Sequence, residues 1–283
     1  VIREEDNRMK KRKISAASII KHCYMIATIA IMLFPLYLTL IGSVKDLGQI
    51  IDNFFLPTFP LHFENYVKAF KYLSPYFVNT VYYAAQSCIL TVLAATLGGY
   101  AFSVLRFPCR RLLYMIMFSK MFLPGVMSLV PSFVLANKLD ILNTSFAISL
   151  FCMGTSMPFW VFVMRTFIES QPRELFESMR IDGASELKVF INLAMPLLKP
   201  MVSLMSVNVI LSVWNDFIWP VVTLTDPAKR TLTVGIYKLS SVAGMDYGMM
   251  IAGYSLAMLP LLIAFFTSMK SFMSGLTAGA IKL

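Results

Sequence analysis

Six times along the chain, a run of about twenty or more residues passes almost without charge. Residues 22–44 lie between Lys21 and Lys45, and residues 72–105 between Lys71 and Arg106. Residues 112–137 hold one charge, Lys120. Asp140 and Arg165 bracket the fourth run. The fifth starts after Lys199 and continues past Asp216 to about Val222, and Asp246 and Lys270 bracket the sixth. About 20 apolar residues in a helix cross roughly 30 Å of hydrocarbon. Lipid satisfies no backbone polar group, so each run must be a helix that satisfies its own. A membrane β-barrel would alternate over about ten residues, and these runs are continuous. Composition agrees: 58% of residues are hydrophobic, 14% are charged, and mean hydropathy is +0.70. A soluble domain carries about 25% charged residues, and disorder needs low hydrophobicity. The fold class predicted is all-α integral membrane with six transmembrane helices. Spans are expected near 22–44, 77–105, 112–137, 141–164, 200–222 and 247–269, forming one membrane domain, 22–283, behind a basic tail, 1–21.

Basic residues orient the bundle. With the N-terminus inside, segments 1–21, 106–111, 165–199 and 270–283 carry 17 Lys and Arg, against 7 in the outside segments 45–71, 138–140 and 216–246. Acidic residues split 8 to 7. The positive-inside rule places both termini in the cytoplasm. The net charge of +10 is therefore a topology signal, and no soluble basic domain exists to bind nucleic acid. The first run, at 23 residues, exceeds a signal-peptide core and reads as a retained anchor. Its flank Lys10-Lys11-Arg12-Lys13 suits anionic lipid headgroups or a simple stop-transfer role. The four cysteines are far apart and form no CxxC pair, which excludes a disulfide framework or a zinc knuckle.

Residues 165–199 break the pattern, with ten charged residues in a segment too long for a tight turn and too charged to span. Pro172 suits a first helical turn. Arg173 and Glu177 share one helix face, as do Leu175 and Met179, with Phe176 beside them. Gly183 terminates this helix, and Ser185 caps a second that runs through Leu187, Phe190 and Leu193. The expectation is an amphipathic helix lying along the cytoplasmic face, its apolar side chains without a home in this chain. Such a face either packs on the protein's own surface or lies in a groove of another protein.

Glu177-Ser178-Met179-Arg180-Ile181-Asp182-Gly183-Ala184-Ser185, followed by Leu193-x-Met195-Pro196, resembles the EAA loop of ABC importer permeases. The spacing from glutamate through glycine to proline matches, while Ser178 and Met179 stand where the family has alanines. The ending Gly275 to Leu283, Pro57-Thr58-Phe59-Pro60 with Phe63-Glu64-Asn65-Tyr66, and Trp214-Asn215-Asp216-Phe217 are similar to the maltose-type carbohydrate permeases. The resemblance implies a type I importer permease fold with a cytoplasmic coupling helix, in the inner or cytoplasmic membrane of a prokaryote. It implies a heterodimer with a second permease, a dimer of ATPase subunits below and an extracytoplasmic sugar-binding protein above, importing a di- or oligosaccharide by alternating access. Glu174, Phe176, Glu177, Ser178, Met179, Arg180, Asp182, Gly183 and Ala184 would form the ATPase-coupling surface, with Glu177 pairing with a basic residue in the ATPase groove. Thr225, Asp226, Lys238 and Asp246, on the loop 223–246, would meet the binding protein. No catalytic residue, cofactor or metal is expected on this chain; ATP and Mg belong to the ATPase partners. The sequence agrees, since it contains no G-x-x-x-x-G-K-[ST] loop.

Polar side chains inside a span are costly and often line a path. Asn79, Gln86, Asn208, Trp214, Asn215 and Asp216 are the candidates, and Trp214-Asn215-Asp216 combines an aromatic face with hydrogen-bonding groups suited to a sugar. Asn208 could equally bond a neighbouring helix. Lys120 lies nine residues beyond Arg111, about 13 Å up a helix, and is expected to snorkel to the cytoplasmic interface. An ion-coupled secondary carrier is the alternative function, but it calls for acids at the centre of a span, and Asp216 and Asp140 sit at ends. An intramembrane enzyme finds no support in two isolated histidines, His22 and His62.

Overall fold

The computed structural model describes residues 16–280, with the side chains of residues 18–263, 265 and 266. The basic tail through Lys13 lies outside the described residues, as do the side chains of the Gly275–Leu283 ending. Among the described residues the fold is all-helical, without a strand. α1, Ala16–Gly42, is apolar on every side, and most of its side chains are exposed, as suits a helix at the edge of a bundle facing lipid. α2, Leu47–Asp52, is a short helix held by a capping box, in which Asp46 accepts from the Gln49 N–H and the Gln49 side chain returns to Asp46 N. Beside it, the fully buried Lys45 donates to the carbonyls of Asn53, Phe54 and Leu56 and so closes the loop between α1 and the next helix. Burial pulls its pKa below the ordinary lysine value.

α3, Glu64–Val104, has 41 residues. At 1.5 Å per residue it is about 60 Å long, roughly twice the hydrocarbon thickness. The expected span 77–105 is therefore only its later part, and the first turns, with Lys68 and Lys71, stand clear of that span. α3 packs most extensively on α6, Ser145–Glu169, running in the same direction. Gly99 makes this approach possible: a Cβ there would collide with the Met164 Cβ.

The expected third span is not one helix. α4, Arg110–Ser119, ends in a 3-10 turn over Lys120–Phe122, and α5, Leu129–Lys138, follows a second such turn over Gly125–Ser128. The chain bends by 111° between the two halves. Pro124 between them donates no N–H, which breaks the ladder there. The fifth span also differs. α7, Glu174–Ile181, leads to α8, Glu186–Val189, and a π turn, Phe190–Ala194, joins α8 to α9, Met195–Asn215. These last three form one apolar helix over 186–215, which begins earlier and ends earlier than the expected 200–222. Asp216 ends it, and its Oδ1 accepts the Trp219 N–H at 3.3 Å in the first turn of α10, Ile218–Thr223. α11, Leu232–Ala243, and α12, Tyr247–Ala280, complete the chain. Four described helices are long and apolar enough to cross a membrane, five if the bent pair is one span. The sixth expected span falls on α12, whose described side chains stop short of its end.

Candidate functional site

The charged segment after α6 folds as a helix, a corner and a second helix. Gly183 sits at φ +79°, the left-handed region that glycine enters without a Cβ penalty. Around it the Gly183 N–H donates to the Arg180 carbonyl and the Ala184 N–H to the Met179 carbonyl, both at 3.0 Å. This pair of bonds is the Schellman closure, and it consumes two of the orphan carbonyls of α7. Ser185 then caps α8 by accepting the Lys188 N–H at 3.4 Å. Pro172 stands just before α7 rather than in its first turn.

α7 has two apolar faces. Phe176 is buried and Met179 half-buried against the core of this same chain. The expectation that these apolar side chains lack a home in the chain is thus corrected for Phe176 and Met179. Leu175, Ile181 and Leu187 point away, with Ile181 86% exposed. Glu174, Glu177, Ser178 and Asp182 are exposed on the same segment, and Ala184 is half-buried under the corner. Glu174 and Glu177 lie in the first turn and Arg180 in the last, each sign placed to suit the helix dipole.

Two residues that sequence reasoning missed tie this segment to the bundle. Arg180 donates Nε–H to Oε1 of Glu186 at 2.7 Å and Nη2–H to Oε2 at 3.2 Å. The Tyr100 hydroxyl, near the end of α3, donates to the same Oε2 at 2.7 Å. The Phe190 ring meets Tyr100 edge to face at 5.3 Å. Opposite charges straddling a glycine corner were the available signal for Arg180 and Glu186. Nothing local points to Tyr100, 86 residues away. Beside this junction opens a cleft of about 930 Å³, lined by Arg106, Arg110, Arg173 and Arg180 as well as Glu169, Glu177 and Glu186.

The structure does not gather the six intramembrane candidates into one surface. Asn79 donates to the Ala228 and Arg230 carbonyls at 2.8 and 3.0 Å, and so braces a connecting loop. Gln86 is half-buried, its Oε1 without a partner among the described residues. Asn208 is exposed and makes no side-chain hydrogen bond among the described residues, so the expected helix-to-helix bond is absent there. Trp214, Asn215 and Asp216 diverge. Trp214 is buried, donates Nε1–H to the Ala257 carbonyl at 3.3 Å and stands edge to face with Phe77. Asn215 turns back to the Leu211 carbonyl, and Asp216 accepts the Trp219 N–H. The aromatic face expected for a sugar is thus closed by packing. Lys120 is a second correction. Its Nζ donates to the Gly154 carbonyl in the body of α6 instead of reaching the interface. Pro158, four residues on, offers no N–H to that carbonyl, so the lysine takes an acceptor that the proline has freed.

At the other end of the bundle, the segment 223–246 is largely folded. Thr225 exchanges hydrogen bonds with the Asn143 side chain at 2.9 and 3.1 Å, and the Asp226 N–H donates to Asn143 Oδ1 at 2.9 Å. Asp226 also caps a short turn over Pro227–Lys229. Lys238 is exposed on α11. Asp246 accepts from the Met249 N–H at 3.0 Å and pairs with Lys68 at 2.9 Å. Burial pushes its carboxyl pKa up, but that N–H and the ammonium outweigh it, and the net shift is downward.

A helical bundle with a broken span, and a short amphipathic helix hung on a glycine corner at one end, defines a polytopic membrane protein. A family model described as "Binding-protein-dependent transport system inner membrane component" matches residues 14–279, and the chain belongs to that family. It is 30% identical over 250 residues to the diacetylchitobiose uptake system permease protein NgcG of Streptomyces coelicolor, covering 87% of this chain and 83% of the relative. It is 30% identical over 256 residues to the arabinooligosaccharides transport system permease protein AraQ of Bacillus subtilis, covering 88% and 90%. The fold matches a chain of a bacterial ABC transporter that imports the acidic polysaccharide alginate, with TM-score 0.80, 20% identity and coverage of 92% and 98%. A further structure, of an alginate transporter in complex with its alginate pentasaccharide-bound periplasmic protein, matches with TM-score 0.61, 18% identity and coverage of 89% and 94%.

Proposed function

We propose that this chain is the translocating, non-catalytic subunit of an ATP-driven importer of a di- or oligosaccharide, working beside a second permease, above a pair of ATPase subunits and beneath a sugar-binding protein. The observation that carries this reading is the double-faced α7. Phe176 and Met179 fix it to the bundle, while Leu175 and Ile181 face outward beside Glu177, an anchor pattern for a helix lying in a partner's groove. Support for the sugar comes from the oligosaccharide-transporting relatives. Support for a cytoplasmic α7 comes from the excess of Lys and Arg in the segments at its end of the bundle. ATP-driven closure of the ATPase pair would push α7, and the bundle would shift between states to the extent that ATP and the loaded binding protein favour one over the other. Thr225 and Asp226 are committed to holding their loop, which leaves exposed Lys238 as the freer contact for a binding protein.

The test is the paired variants Leu175→Asp and Ile181→Asp in the assembled transporter. Each is expected to lose co-purifying ATPase subunits and sugar uptake while the chain still inserts. Full retention of both by both variants refutes the reading, and uptake supported by an ion gradient without ATP would favour a secondary carrier instead.

A further inference from the structure

Resting on the reading of α7 as the docked lever, we propose that the Glu186 carboxylate is the joint through which a push on α7 enters the membrane, and that Glu186 and Tyr100 are positioning residues for transport. One carboxylate holds three elements together. Arg180 on α7 grips both of its oxygens, Tyr100 on α3 donates to one of them, and Glu186 itself is the first residue of the helix that runs unbroken to Asn215. The chain alone cannot do this work. Between α7 and α8 it offers only the turn at Asp182–Ser185, which hinges on a glycine at φ +79°.

A two-bond fork between guanidinium and carboxylate restrains rotation as well as distance. Through it, tilting α7 turns the start of α8. The Tyr100 hydroxyl and the edge-on Phe190 ring then carry the same displacement into the last turns of α3. Phe190 opens the π turn, the kind of local widening that concentrates at functional sites in helices. The side chains of Arg180 and Glu186 are 36% and 47% exposed. A pair so exposed to solvent adds little to folding stability. Its bidentate geometry therefore serves orientation, and the bundle should survive its loss with a slack joint.

The experiment uses the complete transporter in proteoliposomes with its ATPase subunits and binding protein, and reads sugar translocated per ATP hydrolysed. Glu186→Ala and Tyr100→Phe are expected to keep the ATPase subunits bound and hydrolysing, while this ratio falls about fivefold or more, the lower range of coupling between sites. The reciprocal swap Arg180→Glu with Glu186→Arg rebuilds the ion pair but not the acceptor for Tyr100, and is expected to recover only part of the ratio. A role in stability alone would lower yield and thermal midpoint without changing the ratio. Wild-type ratios in Glu186→Ala and Tyr100→Phe overturn the proposal. If Glu186→Ala fails to insert, a wild-type ratio in Tyr100→Phe overturns it alone. Failure of the underlying reading looks different: Leu175→Asp would then leave the ATPase subunits attached.

Discussion

Asp246 does two jobs with one carboxylate: Oδ1 caps α12 through the Met249 N–H, while Oδ2 pairs with Lys68 on the protruding part of α3. Because its folded pKa is depressed, the stabilisation it supplies is present above the unfolded value, about 3.9. It is lost as pH falls through the lower folded value. Asp246→Asn keeps a capping oxygen and loses the ionic pairing. In detergent, the thermal midpoint of the wild type is expected to exceed that of Asp246→Asn at neutral pH, by a small margin for a pair this exposed. The gap should close only below about pH 4. A gap that persists unchanged to pH 3 would show that the pairing contributes nothing. The sequence marked Asp246 as a charge bounding a span, and its cap on Met249, three residues on, was within reach of local reasoning. Its Lys68 partner, 178 residues away, was not.

Elements were legible where their determinants are local. The Schellman corner at Gly183 and the cap at Ser185 are set within a few residues, and both formed as their spacing implied. In the α4–α5 pair, Pro124 marks a kink in the sequence, but the size of the bend was illegible, because hydrophobicity reports that a segment is apolar and not how far it turns. Proline supplied only half the information about α6. Pro158 frees the Gly154 carbonyl, but which donor takes it depends on a lysine 34 residues earlier in sequence, at the break of another element. The pairing can be tested by a double-mutant cycle. Lys120→Met should destabilise the protein by about 1 kcal/mol, the lower end of the cost of stranding an acceptor, since Gly154 is only half-buried. In a Pro158→Ala background the restored N–H satisfies Gly154, and the same lysine substitution should cost measurably less. Equal costs in the two backgrounds, by reversible unfolding in mixed micelles, would mean that the lysine is not serving that carbonyl.

At the scale of the whole molecule, orientation is the property most open to direct measurement. Cys109 is exposed at the α7 end of the bundle, and Lys238 is exposed at the other. With Cys109 as the single thiol, a membrane-impermeant maleimide is expected to label inside-out vesicles and not intact cells, and Lys238→Cys in a thiol-free background should show the reverse. Labelling of Cys109 from outside would invert the topology and move α7 away from any cytoplasmic partner. By itself, the sequence determined that this chain lives in a membrane, that its apolar runs are helices and that a charged segment with a corner at Gly183 follows α6. Those properties follow from charge spacing and turn chemistry, each read within one continuous stretch of chain. Tertiary structure alone decided that Trp214 is packed shut, that Lys120 stays in the bundle and that Glu186 joins α7 to α3. Each of those outcomes depends on which side chain from a distant helix arrives at a given polar atom, and a single sequence carries no measure of that distance.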